Sequence, residues 1–188
     1  MLPGILNRTR FSSYEDLRKN YKINVPAHFN FACDVVDRWA QWDENKLALL
    51  WLDDHGNRRE FTFADISRLS KKAANFLRAE GICKGDRVMF MLGRRWEYWV
   101  CAVAMHRLGA VLIPTSVQMT SKDIAYRVNS AGVKMMLCVN DDYAVSQIAG
   151  ARPNCPTLEK VAVAGGPREG FVDLDAQLEA ASEDFAYE

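Results

Sequence analysis

Few residues of this 188-residue chain could do chemistry, and they are scattered. Gly165-Gly166-Pro167-Arg168-Glu169-Gly170 follows an apolar run and could offer backbone amides to a phosphate. Pro167 and the glycine spacing depart, however, from the G-x-G-x-x-G turn that receives a dinucleotide, so an ordinary loop is expected. His106 could serve as a base or a ligand, but it stands beside Arg107 near the end of a predicted helix. There its simplest role is to face the negative helix end. Arg94-Arg95 next to Trp96, Tyr98 and Trp99 combines cations with aromatic faces, an arrangement able to hold an anion. Two arginines preceding a helix whose aromatics pack inward is the commoner arrangement, and the run is too brief for a nucleic-acid surface. The chain has no G-x-x-x-x-G-K-[ST], G-x-S-x-G or H-E-x-x-H motif. Cys33, Cys83, Cys101, Cys138 and Cys155 form no C-x-x-C pair and stand at no ligand spacing with a histidine, so neither a zinc site nor a disulfide framework is expected.

The elements that would position such residues follow from hydrophobic period and punctuation. Ser12-Ser13 caps a short helix to about Asn20, and Asn30 caps a second with Val35, Val36 and Trp39 on one face. Leu47 to Leu52 and Arg58 to Phe61 flank Asp53-Asp54-His55-Gly56-Asn57, which predicts a β-hairpin and suggests an antiparallel part of the sheet. Thr62-Phe63-Ala64-Asp65 is a capping box opening an amphipathic helix that stops at Gly81. Beyond it strands and helices alternate. Strands are expected at 87–92, 110–113, 134–139 and 158–164, and helices at 96–108, 120–131, 141–150 and 173–181. Strands apolar on both faces, separated by helices, predict an α/β fold with a largely parallel sheet covered on two sides. In such sheets ligands sit outside the carboxyl ends of the strands, which makes Thr115-Ser116-Val117-Gln118, after Pro114, the candidate loop.

Composition bounds the function. The formal charge is zero, with 24 basic and 24 acidic side chains, which argues against nucleic acid as a partner. The longest apolar stretch, 99–114, is interrupted by His106-Arg107 and Gly109, so no membrane span is expected. Residues 169–188 hold seven acids and no Lys or Arg, a composition expected to be among the least ordered. Reduced thiols without a leader sequence point to the cytoplasm.

Several stretches taken together resemble one family. They are Phe29-Asn30-Phe31-Ala32-Cys33-Asp34-Val35-Val36, Phe61-Thr62-Phe63-Ala64-Asp65-Ile66, Lys84-Gly85-Asp86-Arg87-Val88, Arg107-Leu108-Gly109-Ala110 and Gln118-Met119-Thr120-Ser121-Lys122-Asp123-Ile124-Ala125-Tyr126-Arg127. In this order they resemble the N-terminal region of AMP-forming acyl-CoA synthetases, within the adenylate-forming superfamily and nearest its medium-chain and acetyl-CoA synthetase-like branch. Around Leu92-Gly93-Arg94-Arg95 this chain lacks two prolines usual in that family, so the shape of an acyl pocket does not carry over.

The resemblance implies an enzyme that converts a small carboxylic acid, ATP and coenzyme A, with Mg, into acyl-CoA, AMP and pyrophosphate. It places Gln118 near the coenzyme A channel, with Thr115 and Ser116 on the same loop as further candidate contacts. The family's Ser/Thr/Gly-rich phosphate loop and its catalytic lysine would lie downstream of residue 188. The expectation is therefore an N-terminal fragment with no catalytic residue of its own, inactive alone and binding no cofactor tightly. It would divide into an extension at 1–28, an α/β subdomain at 29–168 and an acidic linking segment at 169–188. Self-association through apolar surface left by the missing remainder is expected. The alternative is a stand-alone, non-catalytic α/β module that binds a ligand or a partner.

Overall fold

A computed structural model describes residue 6 and residues 8–187. Residues 1–5 and 7 of the expected extension, and Glu188 of the acidic segment, lie outside the described residues. Helix α1, Tyr14–Asn20, is capped by Ser13, whose hydroxyl accepts from the Asp16 amide at 3.1 Å, and it buries nothing.

The expected second helix is a wide π-type turn at Ala32–Asp37 running into α2, Arg38–Trp42. The Asn30 side chain starts it, its Oδ1 accepting from the Ala32 amide at 3.0 Å. Strands β1, Leu47–Leu52, and β2, Arg58–Thr62, pair antiparallel and form a sheet of their own. This corrects the expectation that the hairpin would be part of the main sheet; it packs instead beside the helix layer, with Phe61 stacked on Trp96 at 5.3 Å.

The capping box closes as its residue types require. The Thr62 hydroxyl accepts from the Asp65 amide at 3.1 Å, and the Asp65 carboxylate accepts from the Thr62 amide at 3.0 Å, opening α3, Phe63–Ala79. Strand β3, Arg87–Met91, then leads the main sheet, followed by α4, Trp96–Leu108, and β4, Val111–Pro114. Next come α5, Ser121–Ala131, β5, Met135–Val139, and α6, Asp142–Ala151. Strand β6, Lys160–Ala164, a two-residue β7, Val172–Asp173, and α7, Leu174–Ala180, end the series.

The five main strands are all parallel, in the order β4-β3-β5-β6-β7. The side chains of β3 show why both faces are covered. Val88 and Phe90 enter one core with α3, α4 and α7, while Met89 and Met91 enter the other with α5 and α6.

The acidic segment is not the loose end its composition suggested. Leu174 and Leu178, one helical turn apart, are buried against the core, and α7 packs on α3 and β6. Apolar burial at two positions outweighs the acids, of which Glu169, Glu179, Glu183 and Asp184 stay exposed.

Candidate functional site

The loops at the carboxyl edge of the sheet carry the polar residues that a ligand could meet. After β4, the Thr115 amide and hydroxyl both donate to the Phe90 carbonyl, at 2.8 and 3.0 Å. Ser116 Oγ accepts from the Gln118 amide at 3.2 Å, and the Gln118 carbonyl accepts from the Tyr143 hydroxyl at 3.4 Å. Ser116 and Gln118 are exposed, and Thr115 is half-buried. The loop is thus held in shape by its own backbone and hydroxyls, which leaves the Gln118 side-chain amide as its uncommitted donor and acceptor among the described residues. The structure brings Thr115, Ser116 and Gln118 together, as the sequence implied, and puts Val117 against the β3 loop at Gly93.

The glycine-rich stretch is already filled from within. Gly165 and Gly166 both have positive φ, 101° and 98°, and their amides donate to Asp175 Oδ2 at 2.7 and 3.1 Å. Successive amides of this kind form an anion-binding nest. Here the anion is the chain's own carboxylate, so the loop reading holds and the stretch is no phosphate cradle.

Sequence order also marks a crevice that the loop choice missed. The chain steps from β3 outward to β4, then returns to the other side of β3 for β5 and continues outward to β6. The switch point where an open α/β sheet takes ligands therefore lies between the carboxyl ends of β3 and β5. Arg95 and Asn140 stand there. Arg95 Nη1 lies 3.1 Å from where a Gly165 Cβ would be, and Asn140 Cβ 3.7 Å from it. Asn140 Nδ2 donates to the Gly166 carbonyl at 3.2 Å, while its Oδ1 is shielded without a partner.

Arg95 is clasped by Glu97, with Nε to Oε2 at 3.1 Å and a second bond from Nη2 to Oε1. Burial pushes the Glu97 carboxyl up in pKa, against the pull of Arg95. Such a shift marks an enclosed carboxyl, in line with Glu97 being only 1% exposed while Arg95 remains partly open to solvent.

The second enclosed charge was also missed. The side chain of Arg107 is fully shielded and donates to Asp37 twice, at 2.8 and 2.6 Å, and to Ser70 Oγ at 3.0 Å. It also reaches the Tyr187 hydroxyl, which in turn donates to Asp37 at 3.1 Å. The spacing Val100, Ala104, Arg107 puts Arg107 on the inward stripe of α4 and was the available signal. His106 is exposed near the end of α4, its ring centroid 5.4 Å from that of Phe31.

All five cysteines are free thiols. Among the described residues no group of three or more His, Cys, Asp or Glu is placed to hold a metal ion, and no helix is long and apolar enough to cross a membrane.

Comparison with known proteins gives this geometry a family. Residues 36–185 match the family described as AMP-binding enzyme. The chain is 36% identical over 180 residues to acyl-coenzyme A synthetase ACSM3, mitochondrial, of Mus musculus, covering 92% of this chain and 31% of that protein. The fold superimposes on a Brucella canis acyl-CoA synthetase with a TM-score of 0.76 at 26% identity, over 87% of this chain and 30% of the other. It also superimposes on the anthranilate CoA ligase AuaEII, solved with anthranoyl-AMP, with a TM-score of 0.77 at 22% identity over the same share of each. The expected cytoplasmic location is overturned by these findings, because the curated relative is a mitochondrial protein. Thiol content was weak ground for the cytoplasm, since the residues of a folded domain do not report where it is delivered.

Proposed function

Because the chain belongs to the AMP-binding enzyme family, we propose that it supplies the N-terminal α/β part of an AMP-forming acyl-CoA synthetase. The chain spans about a third of the length of the curated relatives it matches, 31% in the first case. The whole enzyme would join a small carboxylic acid to coenzyme A with ATP and Mg, in fatty-acid metabolism and in the mitochondrion. Residues 1–28 would be an extension, 29–168 the α/β subdomain and 169–188 the segment leading onward.

The observation that carries this reading is the combination of 36% identity over nearly the whole chain with the same parallel sheet. The described residues do not fit a triphosphate on their own. The Gly165–Gly166 amide nest is taken by Asp175, and the sequence has no Ser/Thr/Gly-rich loop ending in Pro-Lys. The Thr115–Gln118 loop suits a neutral, hydrogen-bonding stretch of coenzyme A better than a phosphate, since it offers hydroxyls and an amide but no cation. Gln118 would contact that cofactor, with Thr115 and Ser116 shaping the loop around it. Self-association of the isolated chain is supported by Leu47, Leu50, Leu52 and Trp99, each 45–59% exposed.

A graft tests the reading. Replacing the matching N-terminal region of the mouse mitochondrial relative with this chain should give a soluble hybrid that forms acyl-CoA. In that hybrid, Gln118→Ala should raise KM for coenzyme A about threefold to tenfold while KM for ATP stays put. A folded hybrid without acyl-CoA formation would defeat the proposal, and equal effects on both substrates would remove Gln118 from the cofactor channel.

A further inference from the structure

We propose that the cleft between β2, α3, the start of α4 and α7 is a binding site for a small oxyanion, a phosphate or carboxylate group, received chiefly by Arg59 and Lys72. The cleft encloses about 470 Å³ and opens beside the switch point, sharing Arg95 with it. Its site differs from the Thr115–Gln118 loop, so its failure would leave the family reading untouched.

Three observations converge on an anion. The first is the count of charges: Arg59, Arg68, Lys72 and Arg95 line the cleft against Glu97, Asp175 and Glu179. Two of those acids are already engaged, Glu97 by Arg95 and Asp175 by the Gly165 and Gly166 amides. Neither is paired with Arg59 or Lys72, although Asp175 keeps its charge, and four cations still face three acids.

The second is the way Arg59 is held. Its guanidinium carbon sits 4.5 Å from the Trp96 ring centre and 4.9 Å from that of Phe61, and these two rings stack on one another. Stacking occupies the guanidinium face and leaves its N–H edge directed elsewhere. No carboxylate meets Arg59 among the described residues, whereas Arg68 is met by Glu183 at 3.2 Å and by Asp65 at 3.5 Å. Held against two rings, the exposed Arg59 presents an unpaired guanidinium edge to a planar or tetrahedral oxyanion, with less side-chain freedom to lose when the ligand arrives.

The third is the position of Lys72. It lies one turn beyond Arg68 on the same face of α3, and its ammonium donates to the Glu179 carbonyl at 2.8 Å. That contact fixes the amine at the cleft with two further N–H groups still available. Arg59 and Lys72 thus come from different elements and are each anchored by something other than an acid.

The test uses the 188-residue chain and inorganic phosphate, titrated by calorimetry at low ionic strength, with acetate as a second arm. Saturable phosphate binding, weakened about tenfold or more in Arg59→Gln and in Lys72→Gln and screened by added salt, is expected. Arg127→Gln, on the far layer, should bind as the parent does. Acetate binding at the same site would make any oxyanion acceptable, and phosphate alone would restrict the site to phosphate-bearing molecules. If Arg59→Gln loses its helical circular dichroism, Lys72→Gln carries the test, since Lys72 supports no ring stack. Absence of saturable binding by either anion, or undiminished phosphate binding in the folded variants, would overturn the proposal.

Discussion

Arg107 is a fully shielded charge held by Asp37, Ser70 and Tyr187, and Asp37 balances it by accepting two of its hydrogen bonds. Breaking such a pair from one side leaves the other charge buried and uncompensated. Asp37→Ala should therefore lower stability by about 3 kcal/mol in urea denaturation, far more than loss of an exposed pair such as Arg68–Glu183. The same residue sets a pH dependence. Burial pushes the Asp37 carboxyl up, hydrogen bonds from Arg107 and Ser67 pull it down, and the result lies below its ordinary 3.8. A depressed carboxylate contributes stability in full above its unfolded pKa and loses it as pH falls through the folded one. Thermal melting followed downward from pH 5 should thus fall more steeply in the parent than in Asp37→Ala; parallel curves would remove Asp37 from the account. The position of the Thr115–Gln118 loop was legible because a strand ending at Pro114 announces a carboxyl-edge loop. Arg107 was hidden by its neighbour: a histidine draws chemical attention, whereas the helical spacing from Val100 pointed one residue further. Arg59 could not be found at all, since the ring stack that orients it joins β2 to α4 across the fold.

Among the elements, α3 and α7 show how caps and buried stripes divide the work. The Thr62–Asp65 capping box satisfies amides at the start of α3, and Thr62→Ala should cost about 1 kcal/mol by the same denaturation measurement. Helix α7 has no such length to rely on, with seven residues, and depends on Leu174 and Leu178. Leu174→Ala should cost about 3 kcal/mol and increase amide exchange throughout 172–181, whereas a loosely attached segment would show neither. The order of strands and helices was readable because period, caps and glycine stops agree along most of the chain. Three features were not. The two-residue β7 is too short to carry an alternation, and the π-type turn at 32–37 has the same apolar spacing as an ordinary helix. The sheet to which the hairpin belongs is the third, because local turn chemistry says that two strands meet, as they do, but not which sheet they join. Order in 169–188 was underrated for a related reason: net acidity describes the outer face, while two leucines decide whether the inner face docks.

At the scale of the molecule, the parallel sheet is sealed on both faces, while the hairpin and α4 leave Leu47, Leu50, Leu52 and Trp99 open to solvent. Sedimentation of the isolated chain should show association, and Leu50→Glu with Leu52→Glu should reduce it; a monomer at all concentrations would speak for the stand-alone module instead. The family was legible in the ordered set of short motifs, because those motifs are the turns, caps and carboxyl-edge loop that build this sheet. Location was not, since nothing inside a folded domain reports where it is delivered. The central claim is that this chain is the N-terminal part of an acyl-CoA synthetase and lacks the means to adenylate an acid by itself. The most direct measurement is pyrophosphate release from ATP with acetate, butyrate, octanoate and benzoate, comparing the 188-residue chain with a protein continued through the downstream coding sequence. The account predicts release only from the longer protein, with one or more of the acids; release from the 188 residues alone, or from neither protein, would contradict it.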